Sequence, residues 1–204
     1  MESILLSMRP ERCEEIVKGI ITLDIRKKAP RITTPFKVYI YCTKPRRVTS
    51  DIVTIGHVIG EFTCKHVSRF RHILGSDWRG GIKDTYAMSW EDVVKTGMTR
   101  WQLANYGCGK TLYGYEISDL EIYDTPLELY NFYLAKAPEM SDLEEELCSY
   151  CSATEYGEHR EYHTPNGVYM CEGRHCSEAY DEFLEENYQV VHAPRSFYKV
   201  KVIE

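Results

Sequence analysis

Gly19-Ile-Ile-Thr-Leu-Asp-Ile-Arg26 alternates in the manner of a strand. Ile21, Leu23 and Ile25 fall on one side and Thr22, Asp24 and Arg26 on the other, because successive side chains of an extended chain point to opposite faces. A carboxylate and a guanidinium two residues apart thus share a face, where they can form an ordered pair. The stretch before it reads as a short amphipathic helix. Pro10 suits the first position, and Cys13, Ile16, Val17 and Ile20 recur at helical spacing. Glu14 and Lys18 make an i,i+4 pair, and Gly19 is placed to cap the end. Ser3 to Met8 precedes the helix as a short buried strand.

Further strands are expected at Phe36 to Tyr41 and at Ile52 to Phe62, the latter bent at Gly56 and Gly60. Ser89 with Asp92, and Thr99 with Gln102, mark two helix starts, and Gly97 and Gly107 supply stops. Strands resume at Thr111 to Ile117 and Leu120 to Tyr123. Beyond Pro126 the chain turns acidic and cysteine-rich, with helices expected from Ser141 and after Cys176. It closes on an alternating strand, Ser196 to Ile203, which is expected to return to the main sheet. The organisation is therefore α+β, with one domain over 1–135 and 193–204 and an insertion over 136–192.

The 204 residues are 43% hydrophobic and 27% charged, ordinary values for a chain with a packed core. Sixteen tyrosines are unusual and suit half-buried strands and wet binding surfaces. The net charge of -6 hides an asymmetry. Residues 1–140 carry 20 Lys/Arg and 17 Asp/Glu, whereas residues 141–192 carry 2 and 13. A basic N-terminal part is the footprint expected of a polyanion partner, with plain surface solvation as the competing reading. The acidic part suits a basic protein partner or, more blandly, a solubilising surface. No stretch approaches the roughly 18 apolar residues that cross a bilayer, and Ile4-Leu-Leu6 before Arg9 is too short for a secretory leader. The expectation is a cytoplasmic protein with no membrane partner, whose eight cysteines are thiols or metal ligands.

Cys148-Ser-Tyr-Cys151, nineteen residues, then Cys171-Glu-Gly-Arg-His-Cys176 has the spacing of a structural zinc site. Each pair can grip one face of a tetrahedral Zn2+, and Gly173 allows the tighter turn that the wider second pair needs. Structural zinc supplies on the order of 10–16 kcal/mol, enough to order a segment this poor in apolar residues. A mixed set drawing on His159, His163 or His175 is the alternative, and a metal-free lobe the third reading. Cys13, Cys42, Cys64 and Cys108 read as packing residues.

Several motifs in order carry a family resemblance. They are Ile4-Leu-Leu-Ser-Met-Arg-Pro10, Ile16-Val-Lys-Gly19 leading to Asp24-Ile-Arg26, Val38-Tyr-Ile-Tyr-Cys-Thr-Lys-Pro45 and Val58-Ile-Gly-Glu-Phe62. Tyr113-Gly-Tyr-Glu-Ile117, Tyr123-Asp-Thr-Pro-Leu127 and Ala193-Pro-Arg-Ser-Phe-Tyr198 complete the set. Together they resemble the ASCH family of PUA-like proteins, and the closing motif after a cysteine-rich insert is similar to a phage and bacterial subgroup. The resemblance implies a small PUA-like β-barrel flanked by helices, with the zinc-binding insertion before the last strand. It also implies a cleft that accepts RNA or a modified base or nucleoside.

The family's signature strand reads Gly-x-Lys-x-x-Glu-x-Arg. Gly19 and Arg26 match it, Asp24 replaces the glutamate, and Ile21 stands where the lysine belongs. Some short family members deacylate N4-acetylcytidine using that lysine, so its loss argues against an amidohydrolase and leaves no catalytic residue assigned. A water activated by Asp24 is the residual catalytic alternative. The cleft candidates are Ser7 and Arg9 at the end of the first strand, Asp24 and Arg26, Lys27 and Lys28 for backbone contacts, Tyr41 and Thr43, and Ser196. Lys18, next to Gly19, adds to the basic set but lies out of register with the missing lysine. The competing reading is that Asp24 and Arg26 only pin the sheet. Gly107-Cys-Gly-Lys-Thr111 matches only the tail of a phosphate-binding loop and reads as a turn between helix and strand.

Overall fold

The computed structural model describes residues 1–44, 55–76, 82–136, 144–147, 160–164, 167–169, 184, 188–194 and 197–202. The chain divides into two compact units, Met1–Glu128 with Ala193–Lys199, and Leu129–His192 with Val200–Glu204. The fold is α+β and rich in strands, with few helices among the described residues.

The first unit begins with β1 (Ser3–Met8), crosses over through α1 (Pro10–Val17) and β2 (Leu23–Arg26), and returns as β3 (Phe36–Cys42) parallel to β1. A parallel pair needs such a crossover, and here the helix and β2 are both threaded into it. β4 (Val58–Cys64) adds antiparallel to β3. β5 (Val67–Phe70), the hairpin of β6 (His72–Ser76) and β7 (Ile82–Tyr86), α2 (Trp90–Lys95), α3 (Arg100–Gly107) and β8 (Leu112–Glu116) follow. β9 (Ser118–Leu127) then pairs with β4, and the closing β14 (Phe197–Val202) lies beside β1, giving the order β14-β1-β3-β4-β9. A second sheet has the order β2-β8-β5 and is antiparallel throughout. No closed barrel is found among the described residues; their ladders form separate open sheets.

Two apolar clusters explain the layering. One gathers Ile4, Leu6, Met8, Ile16, Val38, Ile40, Phe62 and Tyr115 between the large sheet, α1 and β8. The other gathers Leu23, Ile25, Phe70, Tyr86, Val93, Leu103 and Leu112 between β2-β8-β5 and the two later helices. The small sheet thus has a core on each side. Leu23 and Ile25 face the helices, while the opposite face of β2 turns toward the cluster that holds Tyr115, its neighbour on β8. The polar face expected from the alternation is consequently buried as well, and Asp24 is only 3% exposed. Ile21, where the sequence resemblance would place a lysine, packs into the first cluster.

Local chemistry sets the boundaries. After α1, Gly19 at φ 70 donates to the Ile16 carbonyl and Ile20 to that of Glu15, the paired bonds of a Schellman ending. β2 starts three residues later than expected because Ile21 gives its N–H to Glu15 and Thr22 to Lys95, so neither donates to a ladder. In β4 the expected early half is replaced by a turn with Gly56 at φ 90, while residues 52–54 lie outside the described set. Gly60 marks a register shift against β9, where a Cβ would lie 2.3 Å from the Glu121 carbonyl. Ser89 caps α2 by accepting from the Asp92 N–H at 2.9 Å, and Thr99 and Gln102 form a full capping box on α3.

α3 ends at Gly107 as expected, but it is Cys108 that takes the left-handed turn, at φ 48, and Gly107 is small because the Tyr86 ring fills the space of a side chain. The segment 107–111 is a turn between α3 and β8, as read from the sequence.

In the second unit β10 (Phe132–Leu134) pairs antiparallel with Val200–Val202, and Val190 donates to the Phe132 carbonyl. β11 (Glu144–Leu147), β12 (Arg160–Thr164) and β13 (Gly167–Tyr169) form an antiparallel sheet. The helix expected from Ser141 is overturned over Glu144–Leu147, where a ladder to β12 satisfies the backbone and overrides helix propensity. Of the region after Cys176 that was expected to be helical, Leu184 and Tyr188 are described as helical. Cys148, Cys151, Cys171, Cys176 and Ser196 lie outside the described residues.

Candidate functional site

The N-terminal crossover leaves a hollow where β1 ends, α1 begins and β2 ends. β1 delivers Ser7 and, just beyond it, Arg9; β2 delivers Asp24 and Arg26; Thr43 follows β3, held there by its N–H on the Met8 carbonyl at 2.8 Å. These five residues line a cavity of about 720 Å³, closed on the far side by Gln102 and Tyr106 of α3 and by Pro194. Its volume lies in the range of small-ligand sites, a few hundred to about 1,000 Å³.

Arg26 organises the wall. Its Nε donates to Asp24 Oδ2 at 2.6 Å and its Nη1 to the Ser7 carbonyl at 2.9 Å. Burial works to lower its pKa, but the charge and hydrogen bond of Asp24 prevail and hold the guanidinium above its ordinary value. It is therefore a fixed, permanent cation whose Nη2 is engaged by no protein group among the described residues. Tyr106 stands close enough to respond to the pair: burial pushes its phenol up, with Arg26 opposing. Lys27 places its Nζ 4.8 Å from the centre of the Tyr106 ring, a cation–π contact.

A second ion pair braces the α1 side. Arg12 Nη1 reaches Glu15 at 3.1 Å and the Thr96 carbonyl at 3.0 Å, tying α1 to the end of α2. Ser7 Oγ is buried with no hydrogen-bond partner, and Arg9 forms no ion pair among the described residues. The wall thus offers a rigid cation and an aromatic ring to one small space, with the Asp24 carboxylate almost buried behind the cation.

Of the residues singled out in the sequence, Ser7, Arg9, Asp24, Arg26 and Thr43 are brought together on this cavity. Lys18 is not among its lining residues; it pairs with Glu14 at 3.2 Å on the exposed side of α1. Lys27 and Lys28 lie beyond the lining, the former over Tyr106, the latter accepting from the Tyr115 hydroxyl through its carbonyl at 2.8 Å. Tyr41 is buried away from the cavity, and burial raises its phenol. Sequence reasoning missed Arg12, Glu15, Gln102, Tyr106 and Pro194. Gln102 was visible only as a helix cap, and nothing distinguished Tyr106 among sixteen tyrosines.

Among the described residues no group of three or more His, Cys, Asp or Glu could hold a metal ion, and no helix is long and apolar enough to cross a membrane. No protein-family model matches the chain, and no curated protein matches it. Among solved structures it is similar to the crystal structure of ASCH from Zymomonas mobilis, at 19% identity over 62% of this chain and 73% of that one, with a TM-score of 0.44. Two point mutants of the same protein from Zymomonas mobilis give 16% identity over 63% and 77% with a TM-score of 0.43, and 18% over 62% and 74% with 0.44. These neighbours carry the family name that the sequence motifs resemble.

Proposed function

We propose that this protein binds RNA, or a modified base or nucleoside, in the hollow between β2 and the start of α1. The observation that carries the reading is the Asp24–Arg26 pair on the wall of a cavity of about 720 Å³. The nearly buried carboxylate holds the guanidinium in place, a fixed guanidinium donates to a carbonyl or phosphate oxygen, and an aromatic ring offers a stacking face. The small PUA-like barrel belongs to this reading through the sequence resemblance alone. A hydrolytic role for Asp24 is disfavoured, because its carboxylate is occupied by Arg26 and almost entirely buried.

The test is fluorescence anisotropy with a panel of single-stranded RNAs, and calorimetry with modified nucleosides, at two salt concentrations. Salt-sensitive binding that falls at least tenfold in Arg26→Lys supports the reading, since lysine keeps the charge but lacks the planar fork. No binding by any member of the panel would overturn it.

We also propose that Cys148, Cys151, Cys171 and Cys176 hold a structural Zn2+. What supports this is the donor set and the sheet between the two pairs. β11 and β13 both pair antiparallel with β12 and both run toward its Arg160 end. The chain leaves β11 one residue before Cys148 and β13 two residues before Cys171. Elemental analysis of the purified full chain is expected to give one zinc per molecule, lost in Cys151→Ser; a metal-free native protein would refute it.

A further inference from the structure

On the reading above, the hollow takes a nucleic-acid component, and its wall says more about which part. We infer that the cavity holds its guest by a phosphate, seated between Arg9, Arg26 and the first turn of α1, so that nucleotides are ligands and the corresponding nucleosides are poor ones.

Three observations converge on that spot. Arg26 spends Nε on Asp24 and Nη1 on the Ser7 carbonyl, which holds the guanidinium in a rigid frame and leaves Nη2 without a partner among the described residues. Arg9 lines the same cavity with no ion-pair partner among the described residues. Finally, α1 begins against the cavity with Arg9 as its N-cap residue, and no side chain caps its first turn. Pro10 has no N–H and Cys13 gives its own to the Arg9 carbonyl, so the backbone donors left to an anion there are those of Glu11 and Arg12, aided by the positive end of the helix dipole.

The lining carries three carboxylates, Glu11, Glu15 and Asp24, beside three arginines, Arg9, Arg12 and Arg26, so a phosphate would be held by directed donors and not by net positive charge. Asp24 is neutralised by Arg26 and Glu15 by Arg12. Glu11, in the first turn of α1, likewise has no ion pair among the described residues and opposes the Arg9 charge. A purely neutral guest would leave the Arg9 charge and the uncapped turn unused, whereas a phosphate oxygen meets both.

The experiment is calorimetry of the full chain with the four ribonucleosides, their 3′- and 5′-monophosphates, and inorganic phosphate as competitor. At low salt at least one monophosphate is expected to bind about tenfold or more tighter than its nucleoside, the size of one charge-assisted contact. Arg9→Ala, at an exposed position whose side chain caps nothing, should bring the two to equal affinity with an unchanged melting temperature. If nucleoside and monophosphate bind alike, or if Arg9→Ala preserves the preference, the phosphate seat is overturned while the binding function stands. If none of these compounds binds while a single-stranded RNA or a modified nucleoside does, the phosphate seat falls and the binding function stands; if none of them binds, both fall.

Discussion

Arg26 and Asp24 form a charge-assisted hydrogen bond of 2.6 Å in which the carboxylate side chain is 4% exposed and the guanidinium 15%. Both sit on one short strand, so the pair is set by local geometry and then enclosed by tertiary packing. Removing one partner strands the other's charge in the interior. Arg26→Ala is expected to lower unfolding free energy by about 3 kcal/mol, and Asp24→Ala with Arg26→Ala together to be more stable than Arg26→Ala alone. Urea unfolding of Arg26→Ala, of Asp24→Ala and of the double variant measures this. Simple additivity would mean that the pair contributes no mutual stabilisation.

Gly107 and Gly109 separate two reasons for glycine. A Cβ at Gly107 would lie 1.6 Å from the Tyr86 hydroxyl oxygen, whereas Gly109, at φ 76, has open space around it. Gly107→Ala must displace the Tyr86 ring, which also donates to the Lys110 carbonyl, and should cost about 2–3 kcal/mol as an overpacking defect. Gly109→Ala meets only backbone strain, about 1 kcal/mol. Thermal melts that rank the two the other way would contradict the packing described here.

Alkaline pH should unfold the protein through its buried phenols. Burial raises Tyr39, Tyr41, Tyr106 and Tyr115 above the usual value of 10.0, and burial with the Glu61 hydrogen bond raises Tyr123 further. Burial also pushes the Cys64 thiol from 9.0 up to about 12. Each group loses its proton more readily in the unfolded chain, so its stabilisation is complete below the unfolded pKa and is lost as pH climbs toward the folded one. Chemical denaturation should show stability flat from pH 7 to about 9 and falling above it. Phenolate absorbance should rise in two stages, the second coinciding with unfolding.

Thiol access gives an independent check on packing. Cys13, Cys42 and Cys64 are buried, and Cys108 is exposed at the left-handed turn after α3. Cys13 is pushed up, through its hydrogen bond with Cys42 first and burial second, and is a poor nucleophile. Brief alkylation of the native protein followed by peptide mass spectrometry should modify Cys108 and spare the other three. Labelling of Cys13 at a comparable rate would mean that α1 does not cover β3.

How far the sequence reaches is clearest in β2. Alternation alone put Asp24 and Arg26 on one face and Leu23 and Ile25 on the other, which is where they are. It could not reveal that the polar face is covered too, because period-two patterning reports which side is apolar, not whether a second layer lies over the polar one. The helix caps at Ser89 and Thr99 were legible because capping is local chemistry. β5 to β7 were not: Val67-Ser-Arg-Phe70 is four residues without clear alternation, and its strand state depends on pairing with distant β8. The acidic run Glu144–Leu147 was misread for the same reason, its strand being imposed by β12. Half of the cavity followed the same rule. Its β1 and β2 residues could be named from one short segment, whereas Tyr106 and Gln102 arrive from α3 through chain folding.

The crossover that joins parallel β1 and β3 has a consequence for how such a protein changes its tastes. Ser7, Arg9, Arg12, Glu15, Asp24 and Arg26 all fall between the end of one strand and the end of the next, a single uninterrupted run of the gene. That wall of the hollow can therefore be rewritten by a handful of neighbouring codons, or exchanged whole between relatives, while the distant helix that closes the opposite side stays as it is.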